Sequence, residues 1–255
     1  LHSSARQIEI LRSLDDQGVC TVTDLAARLS VSDETIRRDI KAMANRGLVE
    51  RVHGGVTLPN LLQEPTFQKR LARNADEKRA ISRVAAQCIR NGESLMIDTG
   101  STTAYVARAL VNHTDLMVVT NCTDIAATLS KGKGNRVYMA GGEFRFDDGA
   151  VFGQATISFV EQFQARLAVL SIGGISLEQG LMDYHLGEAE LSRAIIRNAA
   201  RVIVVADHTK LGLQASVKVC DLSAIDTLIT DCPPTPAYIE GLAAAGVTLL
   251  TADDS

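Results

Sequence analysis

The sequence predicts an α/β protein in two parts: an N-terminal winged helix-turn-helix domain, then a doubly wound, mostly parallel, Rossmann-like α/β domain. Three observations carry that expectation. Two short capped helical stretches meet at a tight turn near residue 31 and lead into a Gly-Gly hairpin. Beyond residue 76, short apolar strands alternate with helical stretches, the pattern of a parallel sheet covered on both faces. A length of 255 residues suits a small head joined to a body of ordinary domain size.

In chain order, residues 4–16 carry Ile8, Leu11 and Leu14 at helical spacing, and Gln17-Gly18 stops the helix. Thr23 reads as the N-cap of a second helix with Leu25 and Leu29 turned inward. Ser32 reads as the N-cap of a third, and Asp33 and Glu34 suit its positive end. In that third helix Ile36, Ile40 and Met43 form one apolar stripe, leaving Thr35, Arg37, Arg38 and Lys41 outside it. A face of hydroxyls and guanidiniums is what a DNA major groove accepts. The plainer reading is a solvated helix face with Asp39 paired to an arginine of the same chain. Residues 48–52 read as a strand, His53-Gly54-Gly55 as a tight turn and residues 56–58 as the return strand, together a wing. Domain boundaries are expected at 1–58 for this head, 59–75 for a linker broken by Pro59, Asn60 and Pro65, and 76–255 for the body.

Strands of the body are expected at 94–97, 116–120, 136–140, 167–172, 201–206, 227–230 and 247–251. Five of them end in polar or glycine residues. Asp98-Thr99-Gly100-Ser101-Thr102-Thr103 joins the first strand to a helix, so backbone N–H groups, hydroxyls and a positive helix end surround one point, which suits a phosphate. Any strand-to-helix turn also wants Gly and a capping hydroxyl. The loop gains weight from its company: Thr120-Asn121, Gly141-Gly142, Gly173-Gly174 and Asp207-His208-Thr209-Lys210. Ligands of open α/β sheets bind at the carboxyl ends of strands, so these residues define one crevice. Lys210 supplies a countercharge for a phosphate. Glu188 opens a helix, where it either meets sugar hydroxyls or serves only as a favourable charge at a helix start.

Composition narrows the function classes. With 46% hydrophobic residues the chain can bury a large core, and with 4% aromatic residues and no Trp that core is aliphatic. No apolar run approaches the roughly 18 residues that cross a bilayer, so no membrane partner is expected and the cytoplasm is the expected location. Cys20, Cys88, Cys122, Cys220 and Cys232 lie far apart without metal-ligand spacing and read as free thiols. No Walker loop or nucleophile elbow is present, and neither metal nor cofactor is expected. Residues 1–90 carry 15 Lys/Arg against 11 Asp/Glu, and residues 91–255 carry 11 against 19. A basic front on an acidic body fits a polyanion-binding module tied to a domain that need not touch DNA.

Ser32-x-x-Thr35-Ile36-Arg37-Arg38-Asp39-Ile40, followed by Arg51-x-His53-Gly54-Gly55, resembles the head of the DeoR family of bacterial repressors over residues 6–56. The resemblance implies that Ser32, Thr35, Arg37 and Arg38 contact double-stranded operator DNA, with Arg51, His53, Gly54 and Gly55 near its phosphates. Residues 76–235 resemble the family's effector domain, whose fold is similar to ribose-5-phosphate isomerase and the glucosamine-phosphate isomerases. By that resemblance Asp98, Gly100, Ser101, Thr102, Thr103, Thr120, Asn121, Gly141, Gly142, Asp207 and Lys210 bind a phosphorylated sugar effector, and Gly173 and Glu188 join them from the strand-end argument. The chain departs from the active isomerases at Ser171-Ile172-Gly173-Gly174-Ile175-Ser176, where those enzymes carry carboxylates for proton transfer.

The expected function is therefore a DNA-binding transcriptional repressor of sugar or polyol metabolism genes, not an enzyme, whose DNA affinity responds to a phosphorylated sugar. The alternatives are a sugar-phosphate isomerase with a DNA-binding head and a repressor whose body serves only in assembly. A homo-oligomer, dimer or tetramer, is expected because one recognition helix makes too few contacts and symmetric half-sites suit symmetric proteins.

Overall fold

The computed structural model describes residues 3–46, 48–52, 55–58 and 64–252. The chain divides into two compact units, residues 1–64 and 65–255.

The first unit contains α1 (Ser3–Gln17), β1 (Val19–Cys20), α2 (Val22–Leu29), α3 (Asp33–Asn45), β2 (Glu50–Val52) and β3 (Gly55–Thr57). Its core is Ile10, Leu14, Leu25, Ile36, Ile40, Met43, Val49 and Val56, all essentially without solvent contact. Of the stripe expected on α1, Leu14 is buried and Leu11 packs against the core, but Ile8 is 52% exposed and Ile10, one turn before Leu14, takes its place. The cap of α2 is Thr21 rather than Thr23, because Thr21 is the last extended residue and its hydroxyl accepts the Asp24 N–H at 3.0 Å. Ser32 caps α3 as expected, accepting the Thr35 N–H at 3.3 Å. The expected strand at 48–52 begins at Glu50, since the Leu48 N–H still donates to the Met43 carbonyl at 3.0 Å and holds that residue to the helix end. The antiparallel sheet runs β1-β3-β2, so the wing hairpin is anchored by the strand that follows α1.

The second unit opens with α4 (Phe67–Ala72) and α5 (Ala75–Gln87), then β4 (Ser94–Ile97), α6 (Ser101–Ala109), β5 (Met117–Thr120), α7 (Thr123–Leu129) and β6 (Arg136–Met139). There follow β7 (Glu143–Arg145), β8 (Ala150–Phe152), α8 (Gln154–Val160), β9 (Ala165–Leu170), β10 (Gly174–Ser176), β11 (Gly180–Asp183) and α9 (Leu186–Arg197). The unit closes with β12 (Ala199–Val205), β13 (Val217–Cys220), β14 (Thr227–Thr230), α10 (Pro236–Ala244) and β15 (Thr248–Thr251). The stretch expected as a linker, 59–75, thus carries α4, which Phe67 fixes by burying all but 2% of its surface. Residues 59–63 lie outside the described residues.

Each of the seven strands expected in the body occurs, within one or two residues, in a single parallel sheet ordered β15-β14-β12-β9-β4-β5-β6. Side chains alternate between its faces. Leu95 and Ile97 join Val118, Val169, Ile203 and Val205 beneath α5, α6 and α7. Met96 joins Val119, Ala168, Leu170, Val204 and Leu228 on the other face, covered by α8, α9 and α10. Burial on both faces explains why these strands read as unbroken apolar runs. The strand order reverses between β4 and β9, so the carboxyl ends of that pair form the switch point where α/β sheets open a crevice. Two smaller antiparallel additions, the β7–β8 hairpin and the sheet β10-β11-β13, sit beyond those ends in sequence.

Candidate DNA-binding face and sensor crevice

In the first unit, α3 turns Ile36, Ile40 and Met43 inward and leaves Arg37, Arg38 and Lys41 exposed, with Thr35 half-buried. Asp39 departs from its neighbours in the motif. It is buried and receives the guanidinium of Arg6 from α1, an ion pair closed to solvent on both sides. The hydrogen bond to Asp39 raises the pKa of Arg6, so its charge is firmly held. Asp39 therefore braces α3 against α1, while the two arginines before it face solvent. The Ser32 and Thr35 hydroxyls lie 2.9 Å apart at the helix start. Arg51 is exposed on β2, and Gly55 opens β3 opposite Val52. His53 and Gly54 lie outside the described residues.

In the second unit the strand-end residues gather along one edge of the sheet. Asp98, just past β4, is buried and accepts the Ser171 N–H, just past β9, at 3.1 Å, which ties the two sides of the switch point together. Burial pushes the Asp98 carboxyl well above the usual carboxylate range, against the opposing effect of its donors Ser171 and Thr103. Gly100 is required by close approach: a Cβ there would sit 1.8 Å from the Ser171 Oγ. Ser101, Thr102 and Thr103 form the buried first turn of α6, and the Thr103 hydroxyl donates to the Gly100 carbonyl at 3.1 Å.

From β5, Thr120 accepts the Cys122 N–H at 3.2 Å, and Asn121 donates through Nδ2 to the Val151 carbonyl at 3.1 Å. That bond fixes the amide's orientation and leaves its Oδ1, on a residue 1% exposed, with no hydrogen-bond partner among the described residues. A buried acceptor left so costs about 1–3 kcal/mol unless a polar molecule meets it. Beyond β6, Gly141 is exposed, and Gly142 adopts φ +159° where a Cβ would lie 2.5 Å from the Phe152 carbonyl oxygen.

From the sequence, Glu188 either meets sugar hydroxyls or serves as a charge at the start of a helix. Its carboxylate already accepts from Arg145, which also binds Asp148 and lies 4.3 Å over the Phe152 ring. Burial works against the Arg145 charge, but the two carboxylates more than offset it and keep the guanidinium protonated. Arg145 was not singled out in the sequence, because nothing in Glu143-Phe144-Arg145 marks a three-residue strand beside α9. The sequence also showed no carboxylate near Gly173. The fold brings one there: Asp183, from β11, accepts the Gly173 N–H at 3.0 Å.

Past β12, Asp207 is buried and accepts from the Thr209 N–H at 3.1 Å, the Thr209 hydroxyl and the Asn74 amide at 3.0 Å. Burial raises this carboxyl, yet the Thr209 hydrogen bond, the charges of Lys210 and Lys78 and the Asn74 bond bring it below its ordinary range. Lys210 ends the same turn and is half-buried. Asp231, past β14, holds the turn from the other side, accepting both the backbone N–H and the Nδ1 of His208 at 2.6 Å. Cys232 is close enough to share an ion with this pair. However, ligands around tetrahedral zinc sit roughly 3.3 Å apart, so a 2.6 Å separation is that of a hydrogen bond.

The DeoR-like helix-turn-helix domain matches residues 6–61, and the DeoR C terminal sensor domain matches residues 73–232. The chain belongs to the DeoR family. It is a DeoR-family transcriptional repressor with a DNA-binding head and a sensor body. Among its relatives, the glycerol-3-phosphate regulon repressor of Escherichia coli K12 is 37% identical over 95% of this chain and 96% of its own length. The repressor GlcR of Bacillus subtilis is 31% identical over 99% and 98%, and the repressor CsqR of E. coli is 32% identical over 92% and 90%. Among solved structures, ribose 5-phosphate isomerase A of Methanocaldococcus jannaschii aligns with 54% of this DeoR-family chain and 55% of its own, at 15% identity and a TM-score of 0.39. No described helix is long and apolar enough to cross a membrane.

Proposed function

We propose that the chain represses sugar or polyol metabolism genes by binding operator DNA through α3 and the β2–β3 wing, and that a small phosphorylated sugar or polyol in the crevice shifts that affinity. Ser32, Thr35, Arg37, Arg38, Arg51, His53, Gly54 and Gly55 are the proposed DNA contacts. The ligand is assigned to Asp98, the Gly100–Thr103 turn, Thr120, Asn121, Gly141, Gly142, Gly173, Asp207 and Lys210, with Glu188 acting through Arg145. The observation that carries this reading is the buried Asn121 Oδ1, an acceptor in want of a donor, at the edge where five neighbouring strands end in hydroxyls, glycines and a lysine. A sugar hydroxyl satisfies the amide, while the first turn of α6 and Lys210 favour the phosphate.

The body is read as a sensor and not as a catalyst, since Asp183 is engaged by the Gly173 N–H and Glu188 by Arg145. A homo-oligomer, dimer or tetramer, working in the cytoplasm on symmetric half-sites completes the proposal. The test is fluorescence anisotropy of the full chain on labelled DNA from its own promoter region, at fixed salt, across a panel of phosphorylated sugars and polyols. Glycerol 3-phosphate comes first because one relative is the repressor of a glycerol-3-phosphate regulon. Binding altered by one phosphorylated compound, but not by its unphosphorylated form, is the expected result. DNA binding indifferent to the whole panel would favour a body that serves only in assembly.

A further inference from the structure

The segment that follows the DNA-binding unit in the chain is fastened to the crevice loops rather than to the sheet they rise from. The Phe67 N–H donates to the Asp147 carboxylate at 2.9 Å, in the hairpin that follows Gly141 and Gly142. The Leu71 carbonyl accepts from the Tyr105 hydroxyl at 3.2 Å, on the helix that follows the Gly100–Thr103 turn. Asn74 donates to Asp207 at 3.0 Å, in the turn that carries Lys210. Three fasteners thus reach two of the strand-end loops and the helix α6 that follows a third.

Two residues stand out. Asn74 occupies the N-cap position of α5, in the left-handed region at φ +51°, yet its side chain makes no cap bond. Asparagine tolerates this left-handed backbone, and its amide goes to Asp207 rather than to the helix start. Lys78, on the first turns of α5, is 3% exposed and donates to the Arg70 carbonyl and, at 2.7 Å, to the Arg73 carbonyl. It thereby closes the carboxyl end of α4. Burial pulls this ammonium down to about 8; Asp207 holds it up, while Lys210, Arg70 and Arg73 push it further down. The end of α4 is therefore sealed by a buried charge that Asp207 attracts.

We infer that Asn74 and Lys78 are positioning residues of the sensor, through which occupation of the Asp207–Lys210 turn reaches the α4 segment that follows the DNA-binding unit. The inference rests on the reading of the crevice as the effector site. A phosphate drawn to Lys210 competes for the turn that Asn74 holds and adds negative charge near Lys78. Either change alters how firmly α4 is fastened, which gives the ligand differential affinity for two states of the segment.

The test uses the full chain with Asn74→Gly, because glycine keeps the left-handed backbone and removes only the amide. Lys78→Gln, which retains a donor, is the second variant. Calorimetry measures binding of the panel compound that binds the wild type, and anisotropy measures the ratio of DNA affinities with and without it. The expected result is ligand affinity within about threefold of wild type while the DNA-affinity ratio collapses to within about twofold of one. A wild-type ratio in both variants would overturn the inference. Calorimetry showing that no panel compound binds the wild type would remove the effector reading itself, and this inference with it. Amide exchange gives a readout free of ligand: in Asn74→Gly, residues 67–73 should exchange at least about tenfold faster while β4 and β9 stay protected. Unchanged exchange there would overturn the coupling even if the effector reading stands.

Discussion

Replacing Gly100 by Ala tests the close approach of the loops that end β4 and β9. An ideal Cβ would lie 1.8 Å from the Ser171 Oγ, 2.8 Å from the Ser171 Cβ and 3.1 Å from the Thr103 Oγ1. Turning the Ser171 hydroxyl away relieves the first contact but not the second, so the loops ending β4 and β9 must part. The backbone itself accepts alanine, since φ at Gly100 is 172° and extended, and the whole penalty is steric. Overpacking of this kind costs roughly 1–3 kcal/mol. Urea unfolding of the full chain, followed by a probe in the body, should show that loss. Binding of a phosphorylated compound should fall by about tenfold or more, about 1.4 kcal/mol, while DNA affinity without ligand holds. Adding Ser171→Gly removes the two closest atoms, leaves only the 3.1 Å contact with Thr103 Oγ1 and should restore most of the stability, a coupling the double-mutant cycle reads directly. A single variant within about 0.5 kcal/mol of wild type, or a loss undiminished in the double variant, would refute the reasoning.

Other expectations are as direct. Arg37→Ala and Arg38→Ala should each cost roughly 1–3 kcal/mol of specific DNA binding where the arginine reads a base, and unchanged anisotropy titrations in both would remove α3 as the reading helix. Lys210→Ala should leave DNA binding intact and abolish the response to ligand; a retained response would take Lys210 out of the site. Met96→Ala, at a fully buried position in the central strand pair, should cost about 2–5 kcal/mol, and a loss below about 1 kcal/mol would contradict the two-faced packing. The hydrogen bond that His208 donates to Asp231 raises the His208 pKa above its ordinary 6.5, and burial only partly opposes it. Its folded pKa exceeding the unfolded one, His208 contributes fully below about 6.5 and loses that contribution as pH rises through the folded value. Asp231 is pushed up by burial but brought below 3.8 overall by His208, so its contribution holds above that value and fails only in acid. Wild type should thus gain stability over His208→Asn between pH 8 and pH 6; identical melting profiles across that window would show the pair to be inert.

What the sequence revealed follows from how strongly each element is constrained. The seven sheet strands were legible because burial on both faces demands unbroken apolar runs such as Leu95-Met96-Ile97 and Val202-Ile203-Val204-Val205. The third helix was legible through Ser32 and the Ile36, Ile40, Met43 stripe. Antiparallel strands of three or four residues are set by long-range pairing and leave no periodicity, so β7, β8, β10 and β11 went unseen, and with them Arg145 and Asp183. The helix α4 was hidden for a different reason: six residues with one buried anchor, Phe67, are too few to show a face. The crevice loops were placed by their positions after strands, whereas the partners of Glu188 and Asn74 come from 43 and 133 residues away and cannot be read locally.

The inward turn of Asp39 divides its motif between two duties. Arg37 and Arg38 are exposed and are the proposed DNA contacts, whereas Asp39 is held by Arg6 on another helix of the same chain. If those contacts hold, a change of operator can be made at the two arginines and Lys41 without disturbing the frame, and an exchange at Asp39 must be matched at Arg6. Regulators built on this head can diverge in the sequences they read while the bracket that aims the helix stays the same.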